Sequence, residues 1–163
     1  MKYVKVFIIY ITCFLIEHTF LSRMMPGGVS PDLIMVLTVI ITLFYGTYEG
    51  IVAGVVIGIF QDICFSPVLG ISAFMYFIIG AGVLMVRDTV ADDSRMVMLV
   101  LTTVATVIYY GGSWCTVRFL LAENIGLLYV LARIPWAIVL NFTSAMVAWL
   151  FFRDSREKKR QVI

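Results

Sequence analysis

Residues 46–62 read Gly46-Thr-Tyr-Glu49-Gly50-Ile-Val-Ala-Gly54-Val-Val-Ile-Gly58-Ile-Phe-Gln61-Asp62. Glycine recurs at positions 46, 50, 54 and 58, and the next step of four is the acid Asp62. Four residues are slightly more than one helical turn, so the series forms a stripe that winds by about 40° per step around a helix. A stripe without side chains is a groove in which a second helix can pack backbone to backbone, as in small-xxx-small crossings of membrane helices. The stretch between Glu49 and Gln61 is too short to cross about 30 Å of hydrocarbon alone, so Glu49 and Asp62 belong near opposite boundaries. They stand about 20 Å apart along the axis and point to different sides, which rules out one catalytic pair. An acid in a membrane segment is expensive unless paired or wetted. Asp62 is therefore either a functional residue or a carboxylate that caps the loop Cys64-Phe-Ser-Pro67-Val-Leu-Gly70.

Outward from this stretch the composition sets the solvent. Of 163 residues, 62% are hydrophobic and 13% charged, with a mean hydropathy of +1.03. Soluble domains carry about 25% charged residues. The chain reads as an integral membrane protein, a single transmembrane domain with no room for a separate soluble one. Cys13, Cys64 and Cys115 lie in or beside apolar runs and read as small buried hydrophobes. The start, with Lys2 and Lys5 before an apolar run, resembles a signal peptide but lacks a small-x-small cleavage site before Glu17-His18, so it reads as a retained first span. Apolar runs fall at about 4–22, 31–45, 47–65, 70–86, 95–117 and 127–152, followed by a basic tail at 153–163. Continuous runs without alternation predict six transmembrane helices, an all-α fold. Ser30-Pro31-Asp32 supplies an N-cap, a proline at the first helical position and an acid in the first turn; Asp92-Asp93-Ser94 opens the fifth span in the same way, and Pro135 starts or kinks the sixth.

With six spans, Lys2, Lys5, Arg87, Arg95, Arg153, Arg156, Lys158, Lys159 and Arg160 share one side, against Arg23, Arg118 and Arg133 on the other. This bias places both termini in the cytoplasm. The tail is a stop-transfer anchor that attracts anionic lipid, or a protein-docking site. Tyr3, Tyr45, Tyr48, Tyr129 and Trp149 read as interfacial belts. His18 beside Glu17 reads as an interfacial polar pair, with a proton relay the alternative. It is the one histidine in the sequence, and no Cys/His cluster has metal-ligand spacing, so no metal or cofactor is expected. No nucleophile elbow or phosphate-binding loop occurs, which argues against an enzyme. The absence of a basic soluble face argues against nucleic-acid binding. Buried carboxylates want partners, so Asp32 or Asp62 is expected near Arg118 or Arg133, and Glu49 shares the inner level with Arg87.

Pro31-Asp32-Leu33 opening one span, Glu49-Gly50-x3-Gly54-x3-Gly58-x3-Asp62 in the next, and Pro67-x-Leu-Gly70 opening the one after resemble the MreD rod shape-determining proteins of the bacterial cytoplasmic membrane. The likeness covers about residues 30–87, with Pro135-x5-Asn141 compatible in the last span. It implies a six-span subunit of the cell-elongation machinery that supports peptidoglycan synthesis. The partners it implies are an MreC-like bitopic protein, MreB, RodA and the elongation penicillin-binding transpeptidase, with homodimerisation open. It also implies a fold similar to the substrate-binding subunits of energy-coupling-factor transporters. The resemblance brings no catalytic residues. It makes Pro31, Asp32, Glu49, Gly50, Gly54, Gly58, Asp62, Pro67 and Gly70 structural or partner-binding positions, with Arg87, Arg118 and Arg133 as charge partners.

Two function classes follow. The first is a non-enzymatic membrane scaffold that docks partner helices, and the second a small-solute binding subunit or carrier whose intramembrane acids line a polar cavity. The glycine groove takes either an internal helix or a transmembrane segment of another elongation protein.

Overall fold

The computed structural model of the chain describes residues 2–21, 29–45, 48–66, 68–87, 89, 95–120 and 126–160. Six α-helices follow one another: α1 (Lys2–Ile16), which runs on into a π-helical turn (Glu17–Leu21), α2 (Leu33–Tyr45), α3 (Tyr48–Phe65), α4 (Ile71–Arg87), α5 (Arg95–Leu120) and α6 (Leu127–Arg160). Three of them contain stretches long and apolar enough to cross a membrane, Tyr48–Phe65, Arg95–Phe119 and Val130–Phe151; α2 and α4 are shorter apolar helices.

The second helix is the core. Its sequence, LIMVLTVIITLFY, is apolar all round, and a helix of that kind has no face to offer water. Residues Ile34 to Leu43 are all buried, and α2 touches each of the other five helices. The five outer helices keep apolar faces outward, with Phe60, Phe74, Phe77 and Phe119 more than half exposed. That pattern, a buried apolar helix inside a ring of helices that are also apolar outside, is what lipid as the solvent produces.

Two boundaries differ from the sequence reading. The helix α2 opens at Leu33, two residues later than Ser30 as N-cap would set it. Asp32 is the N-cap instead: its carbonyl accepts from Val36 N at 3.1 Å and its Oδ1 from Met35 N at 2.8 Å. A carboxylate meets the helix dipole better than a serine hydroxyl can, and Pro31 before it lies outside the helix. The helix α6 begins at Leu127 as expected, with Pro135 inside it rather than at its start, but it continues past 152 through the basic tail to Arg160. A proline there removes one backbone hydrogen bond without ending the helix. The Asp92-Asp93-Ser94 cap lies outside the described residues.

The glycine stripe on α3 winds as its period requires. A Cβ at Gly50 would lie 2.8 Å from Thr42 Oγ1, and one at Gly54 would lie 2.5 Å from Thr38 Oγ1, both on α2. One at Gly58 would lie 2.8 Å from the Ala73 backbone on α4. Two steps of four turn the stripe by about 80°, enough to pass from one neighbour to the next. Gly80 on α4 answers from the other side, where a Cβ would lie 2.8 Å from Ile51 of α3. The groove is therefore filled from within the bundle.

Candidate functional site

The stripe ends at Asp62, which is 1% exposed. One step further around α3, its carboxylate reaches the start of α4. Oδ2 accepts from Gly70 N at 2.9 Å and from Ser72 N at 3.0 Å, and Oδ1 lies 3.3 Å from Ser72 N. These are orphan donors of a helix N-terminus, for which an anionic oxygen is the best acceptor. Gly70 itself has φ +96°, a left-handed conformation that suits glycine, and its carbonyl takes the first helical bond from Phe74 N. The Ser66 hydroxyl closes the turn by donating to Val68 O at 2.9 Å. Asp62 thus caps the loop and the helix that follows.

A second set of polar groups surrounds the N-terminus of α2. Glu17, in the π-helical turn, places Oε2 2.9 Å from Leu33 N. Asn141 on α6 accepts from Asp32 N at 2.8 Å and donates through Nδ2 to Thr106 Oγ1 on α5 at 3.0 Å. Tyr76 on α4 lies 3.0 Å from both Asp32 oxygens, and its hydroxyl oxygen is 2.9 Å from Gln61 Oε1 on α3. A phenol has one proton. With that proton given to Asp32, Gln61 is satisfied by rotating its amide so that the N–H faces the phenol oxygen. Tyr109 of α5 stacks on Tyr76 with ring centroids 5.6 Å apart. The π-helical turn after α1 and each of the other four outer helices therefore send a side chain into one polar knot at the start of the central helix. The chain enters that knot through Val29, Pro31 and Asp32, all buried. Non-helical backbone at membrane depth survives when protein satisfies it, and here Asn141 and Glu17 take the Asp32 and Leu33 N–H groups.

A third link lies lower down. Tyr10 of α1 directs its buried hydroxyl between Thr38 Oγ1 at 3.1 Å and Gly50 O at 3.0 Å, joining α1, α2 and α3. At the far end of α2, Arg87 Nε donates to Leu43 O at 3.1 Å, a cation on the exposed carbonyls of a helix C-terminus.

The expected site residues divide accordingly. Pro31, Asp32, Gly50, Gly54, Gly58 and Asp62 are buried, and all but Pro31 make the contacts above. Glu49 is half-buried in the first turn of α3, and Pro67 lies outside the described residues. Asp32 and Asp62 accept bonds from backbone N–H groups and, for Asp32, from the Tyr76 hydroxyl. Arg118 is exposed near the end of α5 and Arg133 half-buried on α6. A helix N-terminus offers several aligned donors without a long side chain to order, so it suits a buried carboxylate. Glu17 turns inward to Leu33, while the His18 ring stacks on Phe65 with centroids 4.1 Å apart and meets Phe14 edge-on. Among the described residues no group of three or more His, Cys, Asp or Glu is placed to hold a metal.

Sequence reasoning passed over Glu17 as a cap, and also Tyr10, Gln61, Tyr76, Tyr109 and Thr106. The available signal was position. Tyr76 and Tyr109 stand inside spans rather than at their ends, where a buried phenol needs a partner.

No curated protein and no solved structure matches the chain. A family model described as rod shape-determining protein MreD matches residues 1–155. With the motif series of α2 to α4 inside a match of that extent, the chain belongs to the MreD family of rod shape-determining proteins.

Proposed function

We propose that the protein is a non-enzymatic membrane scaffold of the rod-shape complex, with six spans, both termini in the cytoplasm, and apolar outer faces that dock the transmembrane segment of an MreC-like bitopic partner. One observation carries this reading. The acids that could have lined a transport or catalytic cavity are consumed as helix caps, Asp62 on α4, Asp32 and Glu17 on α2. A small-solute carrier of the energy-coupling-factor type, the other reading of six such helices, calls for a polar cavity near the midplane. Two large cavities of the described residues are apolar and lie on the bundle surface. One, of about 670 Å³, opens between α1 and α6; the other, of about 650 Å³, lies between α3 and α4 against Val52, Val56, Phe77 and Met85.

The positions of the basic residues support the orientation. Lys5 lies twelve residues before Glu17, and Arg153 twelve residues after Asn141. Both are therefore about 18 Å from the polar knot, the level at which Arg87 meets the end of α2. The basic ends of α1, α4 and α6 coincide, as cytoplasmic ends do. The test is co-purification of the full chain from membranes of its own host with the MreC-like protein, RodA, MreB and the elongation transpeptidase. Recovery of the MreC-like protein in stoichiometric amount is expected. Recovery of the chain alone, together with saturable uptake or binding of a small solute, would favour the carrier.

A further inference from the structure

The cavity between α1 and α6 exists because those helices flank α2 without closing over it. Its floor is Leu37 of α2, and its walls include Ile9 and Cys13 of α1 and Ser144, Ala148 and Phe151 of α6. The Ser144 hydroxyl is already bonded to Leu140 O at 2.8 Å, so the walls present hydrocarbon and ask for no polar ligand. A transmembrane helix is about 10–12 Å across and would stand mostly outside a space of about 670 Å³, whereas an acyl chain lies within it.

Charge selects among lipids. Traced from Glu17 beside Leu33 and from Asn141 beside Asp32, α1 followed backwards and α6 followed forwards each reach a basic residue after twelve positions, Lys5 and Arg153. Lys5 is exposed at the end of α1, and the sequence places Arg153 and Arg156 on the continuation of α6. Arg95, 4.5 Å over the Trp149 ring, adds a cation from α5 at that end. We propose that this groove is a binding site for an anionic phospholipid, with one acyl chain against α2 and the phosphate at the level of Lys5 and the α6 tail. The site does not depend on which protein the outer faces dock.

Native mass spectrometry of the full chain released from vesicles of three parts phosphatidylcholine to one part phosphatidylglycerol tests it. One phosphatidylglycerol should remain bound after the other lipids are stripped, although phosphatidylcholine was in excess. Ala148→Trp, which fills the groove, should abolish retention. Lys5→Gln, which changes an exposed side chain and leaves the fold intact, should lower the preference for phosphatidylglycerol about fivefold, the weight of one basic residue at an anionic surface. Retention of the two lipids in their bulk ratio, or full retention by Ala148→Trp, would overturn the proposal. So would Cys13 crosslinking to another protein or a second copy in these vesicles. If Ala148→Trp fails to insert, the Lys5→Gln comparison decides alone.

Discussion

Asp62 shows how geometry decides between two readings of a single residue. As an acid inside an apolar run it asks for a cation, yet Gly70 N and Ser72 N satisfy it at 2.9 and 3.0 Å. Removing the acceptor strands buried donors, which costs about 1–3 kcal/mol. Asp62→Ala should therefore lower thermal stability in detergent clearly more than Asp62→Asn, which keeps one oxygen for Oδ2's two bonds. Equal loss in both would assign the stability to charge rather than to capping. Glycine separates in the same way. Gly54→Ala puts a methyl 2.5 Å from Thr38 Oγ1, while a Cβ at Gly82 meets nothing within 4 Å. Overpacking costs about 1–3 kcal/mol, whereas an open helical position gains up to about 1 kcal/mol on going from glycine to alanine. Membrane abundance should fall for Gly54→Ala, further for Gly54→Leu, and hold for Gly82→Ala. Wild-type abundance of Gly54→Leu would show that the stripe faces lipid.

At the scale of elements, α2 is too short at 13 residues, about 20 Å, to cross the bilayer unaided, and the knot at its start compensates. Interhelical side-chain hydrogen bonds in membranes average about 0.6 kcal/mol and reach about 1.7 kcal/mol. Tyr76→Phe should therefore destabilise by about 1 kcal/mol, and Asp32→Ala by about 2–4 kcal/mol, since the latter loses a cap and strands the phenol as well. In a double-mutant cycle the two should couple. Purely additive effects would show that the Tyr76–Asp32 bond contributes nothing. The helices and the glycine stripe were legible in the sequence because continuous apolar runs and the absence of side chains every four residues are local signals. The knot was not. Asp32 N and Asn141 Oδ1 meet across more than a hundred residues of chain, and Glu17 turns inward only because a π-helical turn re-aims it. The two-residue shift of the α2 start has the same origin, since the distant Asn141 holds the Asp32 backbone outside the helix.

For the whole molecule, a chain of the rod shape-determining MreD family is a bundle whose buried polar groups hold it together and whose outer faces are apolar. Its orientation is testable apart from the rest. Reporter fusions at residue 163 and near Asp92 should read cytoplasmic, and one near Pro26 external; a C-terminus outside would remove the six-span arrangement. The claim that the acids serve the fold, and the fold serves partners, is tested most directly by complementation. In rod-shaped cells of its own host, Glu17→Gln, Asp32→Asn, Asp62→Asn and Tyr76→Phe would each replace the native chain, with cell aspect ratio measured beside the amount of folded protein in the membrane. Rod shape should follow the folded amount along a single curve for all four. One variant folded at wild-type level in rounded cells would contradict the account and give that side chain a function beyond the fold.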